Sequence, residues 1–144
     1  MPSRRILLLD AGLLGRAAHP KPRPDFQLWL DNVLASGDIV VVPEITDYEV
    51  RRSFILANLT ASLARLDALK ITLAYQSLDT SVLLKAAELW AEARKRGRTT
   101  ADPKELNGDV ILAAQALQVG GIIVTDNAGH LAQFVEAKTW KELT

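Results

Sequence analysis

The sequence contains no cysteine among its 144 residues, which excludes a disulfide framework and a metal site built from thiolates. It also has no excess of charge of one sign, because 17 lysine and arginine residues balance 17 aspartate and glutamate residues. A neutral chain exerts little overall attraction on a nucleic acid or an anionic membrane. Any polyanion would therefore have to be bound through a local basic patch or a bound cation.

Long apolar runs are missing as well. The run that begins at Ile6 ends at Asp10 and is too short for the hydrophobic region of a signal peptide. No window of the sequence reaches a membrane-spanning length. We therefore expect a protein of the cytoplasm with no membrane segment. The length suits a single domain, residues 1–144, with a core of its own.

What the sequence does contain is an alternation of short apolar runs with segments of helical periodicity. The runs ILLL, DIVVV and GIIVT predict buried strands, ITLAYQSL predicts a weaker strand, and the amphipathic segments between them predict helices. Such an alternation is typical of an α/β fold with a parallel sheet covered by helices on both faces. We predict that the strands at 6–9, 39–42 and 122–124 are neighbours.

Polar side chains follow the first and the last of these strands. Asp10 comes directly after ILLL, and Asp126 and Asn127 come after GIIVT. Ligands of open α/β sheets bind at the edge where the parallel strands end, so these side chains are candidates for a site. The tripeptide TDN is also compatible with an ordinary turn.

Two further carboxylates fall on helical positions that should face the core. In the helix that begins at Pro43, Glu49 shares the predicted apolar stripe, which consists of Ile45, Tyr48, Arg52, Ile55, Leu56 and Leu59. In the helix GDVILAAQAL, Asp109 lies in line with Leu112, Ala113 and Ala116. A carboxylate on an inward face is costly unless it is paired or holds a metal. Glu49 could pair with Arg52, and Asp109 could interact with the helix N-terminus.

Taken together, these acids predict one site at the carboxyl edge of the sheet. Several carboxylates in one cleft repel each other unless a cation lies between them. Oxygen ligands without cysteine favour Mg²⁺ or Mn²⁺, and such ions can activate water for cleavage of a phosphodiester bond. A phosphatase with an aspartyl nucleophile would need a second acid two residues after Asp10, where the sequence has Gly12.

The segments LLLDAGLL, VVVPEITDYEVRR, NGDVILAAQAL and IIVTDNAGHL, in this order, resemble those of PIN-domain proteins of the VapC type. The resemblance covers nearly the whole chain. It implies a three-layer α/β/α sandwich with a central parallel sheet, a metal-dependent endoribonuclease activity, and a small antitoxin as partner. It assigns Asp10, Glu49 and Asp109 as catalytic metal ligands and Asn127 as a fourth catalytic residue, with Asp126 as the alternative at that strand end.

The resemblance is incomplete in the turn after Asp10. The family commonly has hydroxyl or amide side chains there, whereas Ala11 and Gly12 offer none, and position 107 is an asparagine rather than an additional acid. Groups that orient metal ligands strongly affect metal affinity and activity. The alternative is therefore a catalytically weak or silent PIN module that binds RNA or a protein.

Basic and apolar residues outside the acid set are candidates for partner surfaces. Arg52 and three of the four cations of ARKRGR, namely Lys95, Arg96 and Arg98, could bind an RNA backbone, although the cations of ARKRGR could equally interact with a helix C-terminus. Val50 and Phe54 are predicted on the outer face of the Pro43 helix, where they could meet an antitoxin helix or a second subunit of a homodimer.

Overall fold

The computed structural model describes residues 4–97 and 103–143, with the side chains of 103–106 excepted. Its sheet has five strands in the order β3-β2-β1-β4-β5, and every pairing is parallel. The strands are β1 (Ile6–Leu9), β2 (Ile39–Pro43), β3 (Ala74–Gln76), β4 (Ile122–Thr125) and β5 (Ala137–Thr139). The prediction that the three most apolar strands are neighbours is confirmed, since β1 lies between β2 and β4.

Six helices of the described ranges surround this sheet. They are α1 (Ala11–Ala17), α2 (Pro24–Ala35), α3 (Glu44–Leu56), α4 (Thr60–Thr72), α5 (Thr80–Lys95) and α6 (Pro103–Val119), followed by short 3₁₀ turns at Leu131–Gln133 and Trp140–Glu142. The side chain of Asp79 accepts the backbone N–H of Val82 and so caps α5. Within the described ranges, none of these helices has the length and apolar character needed to cross a bilayer.

The core lies in separate layers on the two faces of the sheet. Leu7 and Leu9 of β1 pack into the cluster that contains Phe26 of α2, whereas Leu8 packs with Leu112 of α6. Successive side chains of a strand point to opposite faces, and here both faces are covered. The predicted three-layer α/β/α arrangement is therefore confirmed.

Two elements were not predicted from the sequence, and the strand predicted at ITLAYQSL is shorter than expected, because Ile71 and Thr72 belong to α4 and β3 covers only Ala74–Gln76. Helix α1 and the edge strand β5 are additional, and α6 begins at Pro103 rather than near Asn107. Helix α2 begins at Pro24, and Asp25 lies in its first turn. Proline suits this position because its missing N–H would have no partner in the first turn.

The predicted inward face of α3 is wrong, apart from Ile45, which is buried as expected. Tyr48, Ile55 and Leu56 are 57%, 58% and 85% exposed, and Arg52 is exposed as well. The buried residues of α3 are Ile45, Thr46, Asp47 and Val50, and Phe54 is partly buried against the same core. Val50 and Phe54 therefore do not form an outer surface. The apolar pattern misled because a charged residue, Asp47, belongs to the buried face.

Candidate active site

Asp10 lies at the carboxyl end of β1, where it is the N-cap of α1. Its Oδ1 accepts the backbone N–H of Leu13 at 2.9 Å. Burial raises the pKa of this carboxyl group, although the Thr125 hydroxyl and the Leu13 N–H oppose the rise. The Asp126 carboxylate adds to the increase and the Arg16 guanidinium opposes it. Asp10 thus occupies a position in which its negative charge is only partly compensated.

Glu49, in the second turn of α3, is half-buried, and the pKa of its carboxyl group is shifted in the same direction as that of Asp10. Burial raises its pKa, the Arg52 guanidinium opposes this, and the carboxylates of Asp109 and Asp10 raise it further. Glu49 therefore senses both of the other acids. The structure places these two carboxylates, which belong to other elements, within electrostatic range of Glu49.

Gly108 is part of this site, and sequence reasoning missed it. A Cβ atom added at Gly108 would lie 2.8 Å from Oε2 of Glu49, closer than real Cβ atoms approach an oxygen. The glycine therefore leaves room for the Glu49 carboxylate against the backbone of α6, next to Asp109. A glycine inside a helix, directly before a predicted ligand, is the sequence signal that could have indicated it.

The three acids share an electrostatic field without converging on one point. Among the described residues, no group of three or more His, Cys, Asp or Glu side chains is close enough together to hold a metal ion. The donors nevertheless fit a hard cation in kind, because all three are carboxylates. They also fit in charge, because other carboxylates raise the pKa values of Asp10 and Glu49, and a cation would offset that repulsion. The metal site remains a prediction.

The structure differs from the sequence prediction about the end of β4. Arg16 binds Asp126 through two hydrogen bonds, at 2.6 and 3.2 Å, and the indole N–H of Trp140 donates to Asp126 at 3.1 Å. The negative charge of Asp126 contributes to the raised pKa of Asp10. Asn127 instead accepts the backbone N–H of Gly129 at 3.1 Å, within its own turn. Asp126 is therefore the better candidate for influencing the site.

The predicted RNA-binding cations lie on different surfaces. The Arg52 guanidinium stacks over the ring of Tyr48, 5.0 Å from its centroid, on the exposed side of α3. It opposes the rise in the pKa of Glu49, so its charge reaches the acid site. Lys95 and Arg96 are exposed at the C-terminal end of α5. Arg98 lies outside the described residues, and its predicted role stays a prediction.

The fold defines the class of the protein: a three-layer α/β/α arrangement around a parallel sheet, with acids at the carboxyl edge. Solved structures of similar fold include VapBC2 from Rickettsia felis bound to a promoter DNA fragment, with a TM-score of 0.78 at 17% identity, covering 94% of this chain and 98% of that one. FitAcB from Neisseria gonorrhoeae gives a TM-score of 0.72 at 22% identity, with the same coverages. VapBC-1 from nontypeable Haemophilus influenzae gives 0.72 at 18%, again over 94% and 98% of the two chains.

These similarities establish the fold. The predicted resemblance to VapC-type PIN proteins is confirmed at this level by structures that match nearly end to end. No protein-family model matches the sequence, and no curated protein is significantly similar to it. The assignment of an activity therefore depends on the side chains of the candidate site.

Proposed function

We propose that this protein is a divalent-metal-dependent endoribonuclease and the toxin of a toxin–antitoxin pair. The observation that carries the proposal is the set of acids at the carboxyl edge of the sheet. Burial raises the pKa values of Asp10 and Glu49, the carboxylates of Asp109 and Asp10 raise that of Glu49 further, and the carboxylate of Asp126 raises that of Asp10 further. The fold shared with VapBC and FitAB structures supports the proposal.

In this proposal, Asp10, Glu49 and Asp109 hold Mg²⁺ or Mn²⁺. When bound, the ion supplies Lewis-acid stabilisation of phosphate charge and activation of water. The chain's own residues position the ligands: the Leu13 N–H orients Asp10, and the backbone at Gly108 supports the Glu49 carboxylate. Asp126, held by Arg16 and Trp140, adds negative charge beside Asp10.

The decisive experiment measures cleavage of single-stranded RNA by the purified protein with Mg²⁺ or Mn²⁺ and with a chelator. Asp10→Asn, Glu49→Gln and Asp109→Asn are each expected to lower the rate at least about 100-fold, the upper end of what loss of an outer-shell partner costs. Glu88→Gln is the matched control, because Glu88 is an exposed acid of α5 paired with Lys85 at 3.4 Å. Cleavage that survives both the chelator and the three substitutions would contradict the proposal.

A second candidate function is a silent PIN module that binds RNA or protein without cutting. It is favoured by the lack of three converging acids among the described residues and by Ala11 and Gly12, which give Asp10 no polar neighbour in the turn. The two functions differ in metal binding. The nuclease should show a thermal shift with Mn²⁺ that Asp10→Asn abolishes, whereas the silent module should show no such shift.

The antitoxin partner is also a proposal, and it would act in the cytoplasm. Ile55 and Leu56, at the end of α3, expose 58% and 85% of their surface, which suits a protein contact. Co-expression with the small protein encoded by a neighbouring reading frame should give a stable complex that Leu56→Ser weakens. Leu84→Ser, at an exposed position of α5, is the control. Sedimentation of the isolated chain tests the proposed homodimer.

A further inference from the structure

An open groove of about 460 Å³ lies beside Asp10, and the acid site does not account for it. It is lined by Gly12, Arg16, His19, Lys21, Pro22 and Arg23. The groove reaches the site at Gly12, where an added Cβ would lie 3.6 Å from Oδ1 of Asp10. It therefore begins at the acid set and continues along the segment that connects α1 to α2.

The charge of this groove is opposite to that of the acid site. Of the described residues that line it, three are permanent cations and none is acidic. Two carboxylates lie beside it: Asp126 pairs with Arg16 at 2.6 Å, and Asp25 pairs with Arg23 at 2.8 Å, where both partners are half exposed. An exposed ion pair of this kind contributes little and exchanges easily for another anion. The chain has no net charge, so this local excess is significant for binding an anion.

The segment that carries these cations is conformationally restricted. Pro20, Pro22 and Pro24 alternate with the basic residues, and each proline fixes its own φ angle. The backbone N–H of Lys21 donates to Nδ1 of His19 at 3.0 Å, which fixes the turn further. A segment that is ordered in advance loses less entropy when it binds a ligand. The cations are thus held in place on a surface next to the acids.

We propose that this basic groove binds the phosphate backbone of an RNA strand and leads that strand to the acid site at Asp10. The proposal rests on the proposed nuclease function for the identity of the ligand. Lys21 and Arg23 provide the phosphate contacts, Arg16 stays paired with Asp126, and Gly12 lies where the groove meets Asp10. Because the contacts are to phosphate, they carry no base specificity.

The test measures binding of a fluorescently labelled single-stranded RNA by anisotropy, in EDTA so that no cleavage occurs, over a series of salt concentrations. The variant is Lys21→Gln/Arg23→Gln. It should lower affinity at low salt by about tenfold and reduce the salt slope by roughly 1.4, because each phosphate contact to a single strand contributes about 0.7. Lys85→Gln is the control, since Lys85 belongs to an exposed ion pair on α5 that resembles the pair of Arg23 with Asp25.

The outcomes separate the groove from the activity. RNA binding that is unchanged in the double variant, or that falls instead in Lys95→Gln/Arg96→Gln, overturns the groove. Polyglutamate serves as a second polyanion in the same assay. The groove is also overturned if the wild type binds RNA no more tightly than polyglutamate and the double variant loses binding to both equally. If RNA is bound through the groove and is never cleaved with Mg²⁺ or Mn²⁺, the groove stands and the nuclease function fails. If RNA is cleaved and the double variant binds and cleaves it as the wild type does, the nuclease function stands and the groove fails.

Discussion

The two ends of the central strands treat their carboxylates in opposite ways. At the amino end, Asp38 accepts hydrogen bonds from the backbone and side chain of Arg5, and the shortest is 2.7 Å long. The Arg5 guanidinium lowers the pKa of Asp38. At the carboxyl end, burial and like charges raise the pKa values of Asp10 and Glu49. The charge of the acid is compensated where its role is structural, whereas the acids at the edge where a ligand is expected keep negative charge that is only partly compensated.

Within α3 the same contrast appears over two residues. Asp47 is 6% exposed and is paired with Arg51 at 3.0 Å and with Lys70 of α4 at 3.4 Å. Glu49 faces the carboxylates of Asp109 and Asp10, and Arg52 offsets them only in part. One acid of the helix therefore holds α3 against α4, and the other belongs to the candidate site. Burial of an acid alone does not indicate function, whereas burial beside like charges does.

The most sensitive test of the carboxyl end is Gly108→Ala. The new Cβ would displace the Glu49 carboxylate, whose long side chain can move away, so the fold should persist. We expect Mn²⁺ affinity to fall about tenfold or more, as it does when groups around a metal ligand are disturbed. Isothermal titration calorimetry measures this.

Gly15→Ala is the matched control for Gly108→Ala. An added Cβ at Gly15 of α1 meets nothing within 4 Å. Alanine is the better helix former, so this variant should be more stable by about 0.5–1 kcal/mol and should bind Mn²⁺ as the wild type does. Equal Mn²⁺ affinities in the two variants would show that Glu49 takes no part in binding the metal.

The amino end should respond through stability. Asp38→Asn removes the charged acceptor of Arg5 and is expected to cost about 1–3 kcal/mol of unfolding free energy, measured by urea denaturation at neutral pH. Asp10→Asn should cost nothing or stabilise, since asparagine also caps a helix and the repulsion is relieved. A comparable loss of stability in both variants would mean that Asp10 is a structural acid like Asp38.

The pH dependence of stability separates the two ends as well, in metal-free buffer. The pKa values of Asp10 and Glu49 are raised on folding, so their ionisation opposes folding above those values, and the penalty disappears as pH falls through them. The pKa of Asp38 is lowered, so its contribution is present above the ordinary carboxyl range and is lost as pH falls below it. On acidification, stability should first rise and then fall. The rise should be absent in Asp10→Asn/Glu49→Gln, as followed by urea midpoints.

Much of the fold could be predicted because it follows from local patterns. The apolar runs of β1, β2 and β4 identify buried parallel strands, and Asp10 stands out because it follows such a run. Helix α1 was not predicted because it has only seven residues, two of them glycine. Strand β5, with the sequence AKT, lies at the edge of the sheet and carries no apolar run.

The parts of the site that could not be predicted depend on contacts between distant residues. The buried face of α3 includes Asp47 because Lys70, 23 residues away, compensates its charge. The contact between Gly108 and Glu49 joins two helices, and periodicity within either helix does not contain it. The pairing of Arg16 with Asp126 spans 110 residues and determines which residue after β4 acts on Asp10. Sequence reasoning found the acids and missed the neighbours that set their charge and position.

The smallest expected effect distinguishes Asp126 from Asn127 at the end of β4. Asp126→Asn removes a negative charge near Asp10 and releases Arg16, whose positive charge already opposes the rise in the pKa of Asp10. Both changes make the site less attractive to a dication, and we expect a few-fold loss of Mn²⁺ affinity by calorimetry, since charges near a protein surface are partly screened. Asn127→Ala should leave that affinity unchanged and cost about 0.5–1.5 kcal/mol of stability, because the Gly129 N–H loses its acceptor. If Asn127→Ala weakens Mn²⁺ binding and Asp126→Asn does not, the strand-end residue that serves the site is the one that the family resemblance indicates.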